Sequence, residues 1–196
     1  MTSRLIVAIT GASGAIYGIR TLQALRRVGG FEVHLVVSPS GRATIAQETD
    51  ATPRDVEALA DVVHASGNVG APIASGSFAT AGMIVAPCSV KTLSAIANGY
   101  TADLVSRAAD VQLKEGRPLL LLFRETPLHV GHLRLMTLAA EAGAVVMPPV
   151  PAFWNRPRTV EEIVDHTVGR ALARLGVGNP LFSEWTGMGK ERPGND

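Results

Sequence analysis

The sequence predicts an α/β fold, a single domain in which a doubly wound parallel sheet lies between two layers of helices. Five short apolar runs recur along the chain, and each is followed by a loop and a segment that suits a helix. The runs lack polar alternation, which is typical of strands buried on both faces of a parallel sheet. The 196 residues, of which 46% are hydrophobic, are enough for one domain with a substantial core.

The strand predictions rest on segments rich in branched aliphatic residues, and the helix predictions rest on capping signals between them. Strands are predicted at residues 4–10, 32–37, 82–87, 119–123 and 144–148. Helices are predicted over 14–28, 40–48, 54–63 behind Thr52 and Pro53, 101–115 ending at Gly116, and 163–175 behind the Thr159 and Glu162 capping-box pattern. This alternation favours parallel strands joined by helical crossovers.

Composition and charge exclude several classes of function. A net charge of +1 gives no general attraction to nucleic acid or to an anionic membrane. The apolar runs reach only five or six residues, far below the roughly 20 that cross a bilayer, and the start of the chain lacks a signal-peptide pattern. A cytoplasmic protein is therefore expected. The single cysteine, Cys88, excludes an internal disulfide framework, and with His129 and His132 interpreted as structural, no metal is expected.

The end of the chain differs from the rest. We expect one ligand-binding domain over residues 1–176 and a C-terminal tail over 177–196. The tail contains Leu181, Phe182 and Trp185, which is too much apolar surface for a solvated end. The tail is expected to pack on the core or on a neighbouring subunit.

The loops that follow the predicted strands carry the candidate binding residues. Glycines 11, 14 and 18 surround Ser13 before a helix, a pattern that lets a phosphate approach the backbone. A dinucleotide-binding dehydrogenase should place an acidic residue after the second strand, where this chain has Ser38. The hydroxyls of Ser13, Ser38, Ser89 and Thr92 instead favour a mononucleotide phosphate, although at least one is expected to be a plain helix cap.

Charged residues suggest a second binding element. Arg107, Asp110 and Lys114 fall on one face of a predicted helix, where such stripes are usually solvated. The alternative is that Arg107 and Lys114 clamp a phosphate, joined by Arg170 through folding or from a neighbouring subunit. Arg124 and Glu125 follow the fourth predicted strand, and successive side chains point to opposite sides, so we expect two separate roles for them.

Several motifs together resemble the UbiX-type flavin prenyltransferases. They are "TGASGAIYG", "ETD" (48–50), "ASGSF" (74–78), "APCSVKTLSAIA", "RAADVQLKE", "RETPLHVGHLRLMT" and "PPVPAF", spread over residues 4–175. The resemblance implies a flavodoxin-like fold that joins the dimethylallyl group of dimethylallyl phosphate to N5 and C6 of reduced FMN, releasing phosphate without a metal. It also implies a homododecamer whose product, prenylated FMN, serves UbiD-type decarboxylases.

The resemblance assigns roles to individual positions. It implies FMN contacts at Gly11, Ala12, Ser13, Ser38, Ser89, Val90, Lys91, Thr92 and Arg124. It implies catalytic roles for Glu48, Lys114 and Glu125, and donor-binding roles for Arg107, Lys114, Trp154 and Arg170. Trp154 is a departure, because the family commonly has a tyrosine there, and an indole N–H donates one hydrogen bond but accepts none.

Two alternatives stay open at the level of sequence. An FMN-dependent decarboxylase of cysteine-like substrates would share the fold, but it should have an asparagine in its substrate loop, which "ASGSF" lacks. A non-catalytic flavin carrier would need the flavin loops but not Arg107, Lys114 and Glu125. The mass of the flavin after reaction with the prenyl donor separates all three functions.

Overall fold

The computed structural model describes residues 3–188, and within this range a six-stranded parallel sheet forms the centre of the fold. The strands are β1 (Ser3–Ile9), β2 (Phe31–Val37), β3 (Val62–Ala65), β4 (Gly82–Cys88), β5 (Leu119–Phe123) and β6 (Val145–Val146). Their order across the sheet is β3-β2-β1-β4-β5-β6, and every neighbouring pair is parallel. The doubly wound parallel sheet expected from the sequence is confirmed.

Helices cover both faces of this sheet. They are α1 (Ala15–Val28), α2 (Pro39–Glu48), α3 (Pro53–Glu57), α4 (Val90–Ala97), α5 (Leu104–Lys114), α6 (Val130–Glu141) and α7 (Val160–Arg174). Leu5, Val7 and Ile9 of β1 pack towards α1, α2 and α7, whereas Ile6 and Ala8 pack towards α4 and α5. The strand alternation thus divides the core into two apolar layers, which confirms the three-layer, flavodoxin-like architecture.

The helix predicted over residues 54–63 is wrong in its second half. A capping box between Thr52 and Asp55 starts α3, but the helix ends at Glu57. Residues 62–65 instead form β3, which pairs with β2 from His34 to Val37. An apolar segment of four residues suits the end of a helix as well as a short strand. Residues 62–65 form a strand because they pair with the free edge of β2.

The β2–β3 pair contains a buried polar chain. Nδ1 of His34 lies 2.9 Å from Nε2 of His64, and Nε2 of His34 lies 2.8 Å from a carboxylate oxygen of Glu32. Arg4 donates to the same Glu32 carboxylate at 3.3 Å, and its guanidinium lies 4.4 Å from the ring centre of Phe78. If both imidazoles carry their proton on Nε2, His64 donates to Nδ1 of His34 and His34 donates to Glu32, so both of these contacts are hydrogen bonds.

The beginning of the C-terminal tail lies on α7. The side chain of Asn179 donates to the carbonyl oxygen of Gly169 at 3.0 Å and accepts from the backbone N–H of Leu181 at 3.1 Å. A Cβ at Gly169 would approach both Asn179 and Leu181 to 2.9 Å, so this close contact needs the glycine. Residues 189–196 of the predicted tail lie outside the described residues.

In residues 3–188, none of the helices combines the length and the apolar character that a membrane span requires.

We expect the His34–His64 pair to make stability fall in mild acid. Burial, and secondarily the neighbouring His34, lower the pKa of His64 below its usual value of 6.5. The unfolded chain therefore binds a proton that the folded chain resists, so the free energy of unfolding falls as the pH drops through 6.5 towards the folded pKa. Urea unfolding of the wild type and of His64→Gln, which keeps an N–H donor towards His34, should show a flatter pH dependence in the variant. Equal slopes in this window would contradict the assignment.

Candidate active site

A cavity of about 500 Å³ opens beyond the carboxyl ends of β1, β2, β4 and β5. The strand order reverses between β1 and β4, since the chain builds β2 and β3 on one side of β1 and returns to build β4 on the other. This is where open α/β sheets bind ligands. All the predicted FMN contacts border this one cavity: Gly11, Ala12, Ser13, Ser38, Ser89, Val90, Lys91, Thr92 and Arg124.

Thr10 joins the two strands that form the floor of the cavity. Its hydroxyl donates to the carbonyl oxygen of Pro87 at 2.8 Å and accepts from the backbone N–H of Ser89 at 2.9 Å. Its own backbone N–H also reaches the Pro87 oxygen at 3.2 Å. Sequence analysis missed this residue, although a threonine at the last position of a buried strand was the available signal. Thr10 holds the start of α4 against the end of β1.

Two serines on the rim are helix caps. Ser38 accepts from the N–H of Gly41 at 3.0 Å to begin α2, and Ser89 accepts from the N–H of Thr92 at 3.3 Å to begin α4. The hydroxyls of Ser89 and Thr92 also lie 3.1 Å apart. We expect at least one of the predicted ligand contacts to be a helix cap, and two of them are. The first turns of both helices also face the cavity, where their free N–H groups favour binding of an anion.

The loop after β1 fits against α2 only because Gly11 has no side chain. A Cβ at Gly11 would lie 2.2 Å from Cβ of Ser40. Gly14 has a φ of 103°, in the left-handed region that other residues rarely adopt, and it begins α1. These two positions bring the backbone of residues 11–14 close to the rim.

Glu48 lies at the end of α2, and its carboxylate reaches the start of α1. One carboxylate oxygen accepts from the N–H groups of Gly14 at 2.7 Å and Ala15 at 3.1 Å. Burial opposes ionisation, but hydrogen bonds from Ser13, Gly14 and Ala15 and the charge of Arg124 outweigh it, so the pKa of Glu48 is lowered. A carboxylate at the C-terminal end of α2 is unfavourable for the dipole of that helix, but the same carboxylate is favourable for the dipole of α1, whose start it reaches.

Arg124 and Glu125 border the same cavity, directly after β5. The backbone N–H of Arg124 donates to the carbonyl oxygen of Cys88 at 3.1 Å, which fixes the strand end beside β4. A carboxylate oxygen of Glu125 accepts from the N–H of Thr126 at 2.9 Å. Both side chains are half-buried and line the same cavity, so the two separate roles expected for them remain a prediction and would be exercised within a single site.

The predicted phosphate clamp lies elsewhere on the same chain. Arg107 donates to the carbonyl oxygen of Ala74 at 3.2 Å and pairs with Asp110 at 2.6 Å. Lys114 pairs with Glu115 beside Gly76, where a Cβ would come within 2.7 Å of the ammonium nitrogen. Neither cation borders the cavity. The "ASGSF" loop therefore packs against both cations, and their role as a clamp stays a prediction.

A smaller cavity of about 340 Å³ lies between β6 and α7, and it contains the third predicted cation. Arg170 borders it with His166, Thr167 and Arg174 above a floor of residues 145–148. Trp154 packs nearby, its ring at 5.8 Å and 78° to that of His166. The donor-binding roles of Trp154 and Arg170 also remain predictions.

Chemistry by a thiol or a metal has little support in the described part of the chain. Cys88 is fully buried, and burial raises the pKa of its thiol well above the usual range, so it is not a nucleophile at neutral pH. Within residues 3–188 no three His, Cys, Asp or Glu side chains gather as metal ligands would.

Comparisons with known proteins agree over almost the whole chain. The sequence profile of the Flavoprotein family matches residues 1–172. Flavin prenyltransferase UbiX of Escherichia coli K12 is 57% identical over 186 residues, covering 94% of this chain and 98% of that protein. The same name belongs to a Thauera aromatica protein that is 56% identical, with 94% of both chains covered. A crystal structure of AnUbiX (PadA1) in complex with FMN and dimethylallyl pyrophosphate has a TM-score of 0.94 at 50% identity, covering 96% of this chain and all of that one (100%).

We expect Glu48 to contribute to stability through the start of α1. Glu48→Ala removes the acceptor for two backbone N–H groups and should lower the free energy of unfolding by about 1 kcal/mol. Glu48→Gln keeps an acceptor but loses the charge, so its loss should be smaller. Urea unfolding at neutral pH measures both, with Asp50→Asn, which removes a nearby exposed carboxylate, as the control. If Glu48→Ala were as stable as that control, the capping role would be wrong.

Proposed function

Because this chain belongs to the family of UbiX flavin prenyltransferases, we propose that it joins the dimethylallyl group of dimethylallyl phosphate to N5 and C6 of reduced FMN, with release of phosphate. The observation that carries the proposal is the single cavity at the β1–β4 reversal, which gathers every residue predicted to hold FMN. When bound, reduced FMN supplies the electron-rich N5 and C6 atoms that become attached to the allyl group.

The residues around this cavity fit FMN in their chemistry. The first turn of α4 offers backbone N–H groups and the hydroxyls of Ser89 and Thr92, which suit a phosphate monoester. Gly11 lets the loop after β1 pack against Ser40 of α2, which keeps the backbone of this loop on the rim of the cavity. Arg124 brings a positive charge to the opposite wall. We assign these groups to the phosphate, the ribityl chain and the ring system of the flavin.

The donor phosphate needs cations that the main cavity of one chain does not gather. Arg107 and Lys114 belong to α5, and Arg170 belongs to α7 beside the smaller cavity. We propose that neighbouring subunits bring these cations to the flavin cavity, where they stabilise the departing phosphate dianion. Breaking the allylic C–O bond then leaves a cation-like fragment held against the flavin.

A closed assembly of twelve copies would supply such neighbours. The FMN-dependent UbiX-like decarboxylase from Escherichia coli O157:H7, described as dodecameric, has a TM-score of 0.91 at 50% identity, covering 94% of this chain and all of that one (100%). Val130, Leu133, Val150 and Phe153 each expose about half or more of their surface, which favours burial between subunits. We therefore propose a homododecamer for this chain.

Two carboxylates are available to move the proton that leaves C6. The bond to C6 needs a proton on the middle carbon of the allyl group and releases one from C6, so a group that gives one proton and takes the other balances the step. Glu125 borders the cavity beside Arg124 and can do this together with the departing phosphate. Glu48 is ionised, but its lowered pKa makes it a weak base. We propose that the product serves UbiD-type decarboxylases. We also propose a cytoplasmic location, because a reducing compartment keeps flavin in its reduced form.

We expect the purified protein to change the mass of FMN. Anaerobic incubation with reduced FMN and dimethylallyl phosphate, followed by mass spectrometry of the extracted flavin, should show the addition of one five-carbon group. Lys114→Ala should suppress this gain at least about 100-fold, because one charge on a transferring phosphate is worth about 3 kcal/mol, while FMN still binds. Arg27→Ala, an exposed cation on α1, is the control. An unchanged flavin mass with the wild type would mean that the protein is a decarboxylase or a flavin carrier.

We expect Gly11→Ala to weaken FMN binding. The new Cβ would lie 2.2 Å from Cβ of Ser40, which pushes the loop after β1 away from α2. Overpacking of this size costs about 1–3 kcal/mol, so the dissociation constant of FMN should rise about tenfold or more. Fluorescence titration with FMN measures this, and Gly67→Ala, where a Cβ meets no atom within 4 Å, is the matched control. Equal affinities in the two variants would remove Gly11 from the site.

A further inference from the structure

His166 on α7 carries a buried polar atom without a hydrogen-bond partner. The residue is only 5% exposed, and its Nε2 makes no hydrogen bond within residues 3–188. Buried side-chain nitrogens are normally paired, because losing water without gaining a partner costs free energy. The partner is therefore expected to come from outside residues 3–188, and a bound ligand is one such partner.

His166 borders two cavities, and the one beside Arg170 suits an anion, whereas the one on its other side contains Glu162 and Asp165 together with Arg156 and Arg158. The 340 Å³ cavity that it borders also contains Arg170, one turn further along α7, and Arg174, a second turn away. The other wall consists of apolar residues from 145 to 152, and none of the residues that line the cavity is acidic. Cations on one side and an apolar wall on the other suit a small amphiphilic anion such as an allylic phosphate.

Aromatic rings fix the orientation of this imidazole. Trp154 meets His166 edge to face at 5.8 Å, and Phe182 of the tail meets it at 6.3 Å and 81°. Trp185 then packs on Trp154 at 5.2 Å and 83°. The tail therefore holds Trp154 and His166 as one unit beside Arg170, instead of leaving Trp154 to act alone.

We propose that His166 donates from Nε2 to a phosphate oxygen of the prenyl donor, and so supplies the hydrogen bond that a tyrosine at position 154 would supply in relatives. This inference rests on the proposed function and names a further donor-binding residue for it. An indole N–H is a single donor on a rigid ring, whereas an imidazole offers a donor and an acceptor as a phenol does. Burial, and then the charge of Arg170, lower the pKa of His166, so the ring is neutral at pH 7 and does not repel Arg170.

With such a role for His166, the effect of substituting residue 166 depends on which residue stands at position 154. If His166 replaces the hydroxyl of a tyrosine at position 154, removing its Nε2 should weaken binding of the prenyl donor while residue 154 is tryptophan. The same change should have little effect once residue 154 is tyrosine. If His166 only fills space under Trp154, its removal should have the same effect in either background. A double-mutant cycle separates the two cases.

The test compares four full-length, FMN-loaded proteins: the wild type, H166F, W154Y and H166F/W154Y. Initial rates of flavin prenylation at varied dimethylallyl phosphate give kcat and KM. We expect H166F to raise KM for the donor about tenfold in the wild-type background, the value of one hydrogen bond to a charged group, and less than about twofold in the W154Y background. FMN affinity should not change. H166Q, which keeps an N–H donor, should recover most of the loss, and H166L, which also removes the nitrogen, replaces H166F in all four comparisons if H166F is unstable.

An equal rise of KM in both backgrounds, or no rise at all, would overturn the inference. Failure of the proposed reaction is separable, because calorimetric binding of dimethylallyl phosphate to the same FMN-loaded proteins needs no turnover. If the wild type bound the donor without prenylating FMN and H166F bound it about tenfold more weakly, His166 would stand as a ligand of the donor while the reaction failed. If H166F and the wild type bound it equally, His166 would have no such role.

Discussion

The parallel pairing of β1 with β4 is the constraint on which the rest of the site depends. Strand order reverses there, so the loops after both strands diverge to opposite faces of the sheet and leave a cavity between them. Thr10 holds the two strand ends together through Pro87 and Ser89. Because Ser89 begins α4, this contact also sets the position of the first turn of that helix. A shift of one strand would therefore move the wall of the cavity with it.

Much of this arrangement was predictable from sequence, because it depends on local signals. Apolar runs located five strands, and the rule for open sheets placed their loops on one rim. β3 was missed because residues 62–65 contain no signal that separates a short strand from a helix end, and their pairing with β2 is a tertiary interaction. Glu48 was noticed, but its contacts with Gly14 and Ala15 span more than 30 residues, so its capping role required the fold.

The cations predicted to bind the prenyl donor lie at separate places on one chain. Arg124 borders the flavin cavity, Arg107 and Lys114 are paired with acids on or beside α5, and Arg170 borders the smaller cavity. Keeping these cations apart limits their mutual repulsion in an isolated chain. Assembly would then bring them together, at the stage when an anionic donor can balance their charge. Sequence reasoning named these residues but could not place them, because their spacing along the chain says nothing about neighbours in an assembly.

The caps of the rim helices differ in charge, and this difference bears on the proposed position of the flavin phosphate. The starts of α1 and α5 are occupied by carboxylates, from Glu48 and Asp103, which already complement the positive ends of those helix dipoles. The starts of α2 and α4 carry neutral serines, so their dipoles remain available to an incoming anion. Pro39 removes one backbone N–H from the first turn of α2, whereas the first turn of α4 contains no proline, leaves the N–H groups of Val90 and Lys91 uncapped by Ser89, and adds the charge of Lys91. The first turn of α4 is therefore the stronger anion site, and a phosphate bound there would place the attached flavin across the β1–β4 reversal, towards Arg124 and Glu125.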